Sequence, residues 1–183
     1  MKLYLIRHTK VDVPPGICYG QTDVPVMPSF PEEAKKVKSN IEGIPFTHCF
    51  SSPLNRCRLL AETITPKEVV IHFDDRLKEM SFGEWEEKQW SQFDQTFDAQ
   101  KWFSNYLTVP CPGGESYVQL IERTRSFLGD LSQLPDDSEI MIVAHGGPIR
   151  AFLVLLDGID PKKVFDIEIG YGEVKRIEQK IKN

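Results

Sequence analysis

The sequence lacks several things, and each absence removes a class of protein. It has no surplus of positive charge: 22 lysines and arginines stand against 27 aspartates and glutamates, a formal net charge of −5. No global field therefore favours nucleic acid or an anionic membrane surface as partner, and an anionic ligand must find its cations in a local cluster. No apolar run approaches the roughly 18 residues of a membrane-spanning helix, so no membrane partner is expected. Metal-ligand spacing is missing too, and neither a metal nor another cofactor is expected. The four cysteines, Cys18, Cys49, Cys57 and Cys111, show no C-x-x-C spacing. The start of the chain is a charged, strand-like segment, not a basic-then-apolar leader. With 183 residues, 40% of them hydrophobic, the chain can bury a core without disulfides, which predicts free thiols and a cytoplasmic location. Internal repeats and low-complexity segments are absent, and one domain over residues 1–183 is expected.

What is present alternates between strand and helix. Lys2–Arg7 and Glu139–Ala144 are short apolar runs that each end in histidine, as buried strands do at the edge of a sheet. His48–Ser51, Val69–Phe73, Phe165–Ile169 and Glu173–Ile177 are further strand-like runs. Helices are predicted over Glu32–Ile41, entered by a Ser29/Glu32 capping box, and over Pro53–Thr63, Ser116–Leu131 and Pro148–Leu156. The pattern predicts an α/β three-layer sandwich: a mostly parallel central sheet, helices on both faces, and a small helical insertion. That insertion, at about residues 85–112, holds most of the aromatic residues. Trp90, Phe93 and Phe97 there fit one helical face, which packs on the body while one or two aromatic side chains act as a lid. Thr9–Pro28, with Pro14, Pro15, Pro25 and Pro28, is a long loop with restricted conformations.

The chemistry-bearing residues converge on strand ends, where open α/β sheets bind ligands. Arg7-His8 follows the first strand and His145-Gly146 a later one. Gly146-Gly147-Pro148 allows close backbone approach and starts a helix whose free N–H groups suit an anion, so Gly146 is a candidate binding residue. Arg56 opens the helix after a third strand end, and its planar fork matches phosphoryl oxygens, whereas Arg58 reads as an exposed helix charge. Glu79, by itself, reads as an ordinary solvated glutamate.

Five blocks then appear in order: Leu5-Ile6-Arg7-His8-Thr9; Ser51-Ser52-Pro53-Leu54-Asn55-Arg56 with Ala61-Glu62-Thr63; Leu77 through Glu86; Pro112-Gly113-Gly114-Glu115-Ser116; and Val143-Ala144-His145-Gly146-Gly147. Together they resemble the histidine phosphatase superfamily, in its phosphoglycerate-mutase-like branch, over nearly the whole chain. The resemblance implies a hydrolase that works through a phosphohistidine. His8 is then the nucleophile, Arg7, Arg56 and His145 form the phosphate pocket, and Glu79 donates a proton to the leaving oxygen. A neutral imidazole attacks through one nitrogen when the other gives its proton to a hydrogen bond, so a backbone carbonyl is expected at the second nitrogen of His8.

The loop Val11–Pro25 further resembles the α-ribazole phosphatases of cobalamin biosynthesis, which implies α-ribazole 5′-phosphate as substrate, with Tyr19 and Gln21 as ligand contacts or as turn residues. Glu87-Lys88 departs from the Trp-Glu-Gly that many relatives have there, which implies a different local turn. The competing readings are a phosphatase of a sugar phosphate or other small phosphomonoester, a phosphoglycerate-mutase-like activity, and an inactive relative that binds a phosphorylated ligand. Nothing in the sequence sets the oligomeric state.

Overall fold

In the computed structural model, residues 1–178 are described. Among them, β1 (Lys2–Arg7), β2 (His48–Ser51), β3 (Ile71–Phe73), β4 (Glu139–Ala144) and β5 (Val174–Glu178) form one sheet in the order β3-β2-β4-β1-β5. The first four are mutually parallel, and β5 runs antiparallel along β1. The helices are α1 (Phe30–Asn40), α2 (Asn55–Ile64), α3 (Phe97–Ser104), α4 (Tyr117–Leu131) and α5 (Gly146–Asp157).

The period of two along β1 and β4 builds the layers. Leu3 and Leu5 of β1, with Ile140, Ile142 and Ala144 of β4, pack against Phe127, Leu128 and Leu131 of α4 and Ile149 and Phe152 of α5. Tyr4, Ile6, Met141 and Val143 point the other way, onto Ala34 and Val37 of α1 and Cys57, Leu60 and Ala61 of α2. Both faces of the central strands are therefore covered, as their unbroken apolar character requires. The result is the α/β sandwich that the alternation of strands and helices predicts.

The edges depart from the sequence reading. The expected strand Phe165–Ile169 is instead a 3-10 turn over Pro161–Asp166 and an irregular run after it. Two carbonyls of that run are taken by side chains: Arg150 Nε donates to Ile167 O at 3.0 Å and Arg7 Nη1 to Ile169 O at 2.5 Å. A strand needs those groups for a ladder. The Ser29/Glu32 capping box does not form, because the Ser29 hydroxyl donates to Glu33 at 2.6 Å. Nor do Trp90, Phe93 and Phe97 share a helix. Gln89 and Gln92 close a short turn over Trp90–Gln92 with a capping box of their own, and Thr96 then caps α3 by accepting from Ala99 N. Phe93 is buried and stacks on Trp85 at 5.0 Å, whereas Phe97 is 81% exposed. The four cysteines are buried and free. No helix among the described residues is long and apolar enough to cross a membrane.

Candidate active site

Register brings three strand ends together. His8 and His145 are the first residues after β1 and β4, which are parallel neighbours with Arg7 opposite Ala144. His8 N donates to Ala144 O at 3.1 Å, and the two imidazoles emerge side by side, ring centroids 5.1 Å apart. On the other flank of β4, Ser51 of β2 lies opposite Val143, which puts the Ser52 hydroxyl 2.8 Å from His145 Nε2.

His8 is 1% exposed. Its Nδ1 lies 2.7 Å from the Thr9 carbonyl oxygen; a carbonyl only accepts, so Nδ1 carries the proton and Nε2 keeps its lone pair. Burial pushes the His8 pKa well below the usual histidine value, the Arg56 charge adds to this, and the Thr9 hydrogen bond opposes it. Burial and Arg56 act on His145 in the same direction. Both rings are thus neutral at neutral pH. His145 Nδ1 accepts from Arg56 Nε at 3.2 Å, so its proton sits on Nε2, facing Ser52. The Cys57 thiol packs 3.4 Å from that nitrogen.

Arg56, in the first turn of α2, is fully buried. Its remaining nitrogens donate to Thr22 O at 2.9 Å and Gly20 O at 2.7 Å. The guanidinium of Arg7 lies 3.9 Å over the ring of Tyr171, and Arg7 Nε is buried with no hydrogen-bond partner in the protein. Among the described residues neither arginine forms an ion pair with a carboxylate. Two buried or half-buried cations met only by neutral groups leave an excess of positive charge at the sheet edge, which suits an anion.

Glu79 arrives from the segment after β3. Its carboxylate accepts from Met80 N at 2.9 Å and from Gly147 N at 3.1 and 3.3 Å, so the first turn of α5 holds a carboxylate at its positive end. A Cβ at Gly147 would lie 2.1 Å from Glu79 Oε1, so the carboxylate can hold this place only because position 147 has no side chain. Behind Glu79, its carbonyl oxygen accepts from Gln21 Nε2 at 3.0 Å and Arg123 Nη2 at 2.8 Å. Gln21 therefore braces the backbone of Glu79. Tyr19 does face the cleft: its hydroxyl meets that of Tyr171 at 3.1 Å and its ring lies 5.5 Å below Arg56.

Arg7, His8, Tyr19, Gly20, Glu79, Phe82 and Trp90 are among the walls of one cleft of about 170 Å³. His145 and Arg56 are fully buried, His145 with its ring 5.1 Å from that of His8 and Arg56 5.5 Å from the ring of Tyr19. Gly146 sits beside Arg7, whose Cζ would be 3.9 Å from a Cβ at that glycine. Two residues that the sequence reading left without a role also belong here. Glu86 accepts from the backbone of Gln21, Thr22 and Phe82 and from the Thr22 hydroxyl, at 2.6 to 2.9 Å. Tyr171 is carried by a turn that binds the backbone of His8, Gly172 N donating to His8 O at 3.1 Å. The glycines that flank Tyr171 were the visible signal of that turn; Glu86 closes the block Leu77 through Glu86, which marked its position and not the loop that it ties. Among the described residues, no group of three or more metal-ligating side chains converges.

Proteins of known sequence and structure resemble this chain over nearly its full length. A protein of Hydrogenobacter thermophilus named "Putative phosphoserine phosphatase 2" is 32% identical over 96% of this chain and 88% of its own. A phosphoserine phosphatase from Entamoeba histolytica, solved with 3-phosphoglyceric acid, superposes with a TM-score of 0.84 at 26% identity, covering 96% of this chain and 89% of its own. The α-ribazole phosphatase of Shigella flexneri superposes with a TM-score of 0.88 over 96% of this chain and 89% of its own, and at 22% identity this likeness concerns the fold. The family model of the histidine phosphatase superfamily (branch 1) matches residues 3–182, and the chain belongs to that superfamily as a phosphatase.

Proposed function

We propose that His8 Nε2 attacks the phosphorus of a phosphomonoester. The N–P bond forms as the ester P–O bond breaks, and Glu79 gives its proton to the departing alkoxide. Glu79 then takes a proton from water, whose oxygen attacks phosphorus and releases His8 and inorganic phosphate. Arg7 and Arg56, with His145 behind them, offset charge on the phosphoryl oxygens through both steps. The observation that carries this reading is the meeting of a neutral imidazole whose Nε2 is free with two guanidinium groups that no carboxylate neutralises.

For the substrate we propose α-ribazole 5′-phosphate, hydrolysed to α-ribazole in cobalamin assembly. The loop Val11–Pro25 supports it, as do the cleft walls Ile17, Phe82 and Trp90, which suit an alcohol with an apolar part. A second reading, phosphoserine, is favoured by the Hydrogenobacter relative. Phosphoserine brings a carboxylate and an ammonium group that need partners beside the phosphate, and the charged side chains lining the cleft, Arg7 and Glu79, are already engaged in phosphoryl transfer. The test is kcat/KM for α-ribazole 5′-phosphate, phosphoserine and sugar phosphates, with acid-quenched trapping of phosphohistidine in wild type and in His8→Ala. A preference for phosphoserine would overturn the substrate; turnover surviving in His8→Ala would overturn the mechanism.

A further inference from the structure

Tyr171 is a large aromatic residue that the core does not use. It is 41% exposed and stands between two glycines in a turn, outside the strands and helices. Its place is set by the sheet. β5 runs antiparallel along β1, with Ile6 opposite Val174 as the last strand pair. The ladder continues one step past the strands, Arg7 N donating to Glu173 O and Gly172 N to His8 O, each at 3.1 Å. Gly172 then turns the chain with φ 67°, and the Glu173 carboxylate closes the turn by accepting from Gly170 N at 2.5 Å. The backbone of Arg7 and His8 thus fixes the turn, and the turn lays the Tyr171 ring against the side chains of the same two residues. The ring centre is 3.9 Å from the Arg7 guanidinium carbon and 5.6 Å from the centre of the His8 imidazole.

A guanidinium can be held by its edge or by its face. Hydrogen bonds use the edge, where the five N–H groups lie, whereas an aromatic ring uses the face. Arg7 gives Nη1 to Ile169 O at 2.5 Å. Its Nε is buried with no acceptor in the protein, so the edge formed by Nε and Nη2 keeps the paired N–H groups that fit two oxygens of a phosphoryl group. A carboxylate in place of the ring would take that edge and cancel the charge. The ring does neither: it restrains the guanidinium plane, leaves the charge in place and occupies no donor. Tyr171 is itself held, its hydroxyl 3.1 Å from that of Tyr19, and the Tyr19 ring lies 5.5 Å from the guanidinium carbon of Arg56. Two tyrosines joined at their hydroxyls thus link the two arginines of the site.

We propose that Tyr171 is a positioning residue for phosphoryl transfer, its ring face orienting the Arg7 guanidinium so that Nε and Nη2 meet the phosphoryl oxygens. The proposal rests on the phosphatase reading above, and it assigns a residue that acts through Arg7 without touching the substrate. What matters at position 171 is then the negative face of the ring, and bulk alone does not replace it.

The full chain is assayed with p-nitrophenyl phosphate, with inorganic phosphate as competitive inhibitor. The variants are Tyr171→Leu, Tyr171→Phe, and chains carrying mono-, di- or trifluorinated phenylalanine at position 171, in which the shape is nearly constant while the ring face grows less negative. Tyr171→Leu should raise the phosphate inhibition constant and lower kcat/KM, each by roughly three- to thirtyfold, the range of a cation–π contact. Tyr171→Phe, which keeps the ring, should recover most of that loss. Along the fluorinated series both quantities should worsen step by step towards those of Tyr171→Leu. A Tyr171→Leu enzyme with wild-type phosphate affinity and kcat/KM would overturn the proposal. So would a fluorinated series level with Tyr171→Phe, because a ring that only fills space does not respond to the charge on its face. If Tyr171→Leu does not fold, the fluorinated series decides the matter alone. A wild-type chain that hydrolyses no phosphomonoester and binds no phosphate would instead remove the phosphatase reading, and this proposal with it.

Discussion

Replacing Glu86 by glutamine should unfasten the loop that holds Arg56. Arg56 donates to the carbonyls of Gly20 and Thr22, and the backbone between them is fastened by Glu86. Oε1 accepts from Gln21 N and Phe82 N, both at 2.9 Å, and Oε2 from Thr22 N and the Thr22 hydroxyl, both at 2.6 Å. Glutamine keeps one accepting oxygen, so at best one pair survives while the other faces an amide NH2, donor against donor. Two lost hydrogen bonds to a charged group are worth roughly 3–6 kcal/mol. Because Glu86 is half-buried, water can reach some of the freed groups, and the net loss should be about 2–4 kcal/mol. For a chain of this size that is a fall in Tm of roughly 4–16 °C. Urea denaturation of both proteins measures it, with Glu84→Gln, an exposed neighbour, expected to stay within about 0.5 kcal/mol of wild type. Activity should fall as well, by at least about tenfold in kcat/KM, since a displaced guanidinium no longer meets the phosphoryl oxygens. A Glu86→Gln protein within about 0.5 kcal/mol of wild type and with full kcat/KM would refute the reasoning.

Gly147→Ala would set a Cβ 2.1 Å from Glu79 Oε1 and push the carboxylate aside; alkyl phosphates, which need the proton, should slow by roughly 10²–10⁴, and aryl phosphates with good leaving groups much less, as steady-state rates on both ester types will show. Glu87 adopts φ 65°, a left-handed conformation that strains a residue with a side chain by roughly 1–2 kcal/mol, so Glu87→Gly should stabilise the fold by about 0.5–1 kcal/mol after glycine's own entropic disadvantage; a lower urea midpoint in that variant would contradict it. Stability should also decline as pH falls below the ordinary histidine pKa of about 6.5. The unfolded chain takes up protons at positions 8 and 145 that the folded chain refuses, so the contribution is complete above that value and is lost below it, with a limiting slope near 1.4 kcal/mol per pH unit for each histidine. Urea midpoints at pH 7, 6 and 5 measure the slope, and a flat profile would count against neutral buried imidazoles.

Much of this site was legible because it is punctuated locally. Lys2–Arg7 and Glu139–Ala144 are apolar runs stopped by histidine, and parallel pairing in register is enough to bring His8 and His145 together. The carbonyl at His8 Nδ1 followed from the chemistry of an attacking imidazole and is found on Thr9. Other features depend on partners far along the chain. The run after Phe165 has the β-branched character of a strand, yet Arg7 and Arg150 take two of its carbonyls. Gln21, expected as a ligand contact or as a turn residue, gives its side-chain amide to the carbonyl of Glu79, 58 residues away, a tie that no local pattern announces. Glu86 stands at the end of the block that begins at Leu77, but its partners, the backbone of Gln21 and Thr22, lie more than sixty residues earlier in the chain. The departure at Glu87-Lys88 implied a different local turn, and the form it takes is a glutamate in the left-handed region.

The same non-local ties explain how a chain with a net charge of −5 keeps two cations at its sheet edge. Had a carboxylate paired with Arg56, the fold would hold the guanidinium more cheaply and the site would be neutral. Backbone carbonyls and an imidazole solvate the charge without cancelling it, and the nearest functional carboxylate, Glu79, is turned onto the amide of Gly147 instead. On the proposed mechanism that division of partners leaves positive charge for the phosphoryl oxygens, and Glu79, free of the arginines, as the group that exchanges a proton with the leaving group and with water. An acid bound directly to Arg56 would be held ionised and could not make that exchange. On that mechanism, the loop fastened by Glu86 keeps the Arg56 cation close to the acid Glu79 without pairing the two.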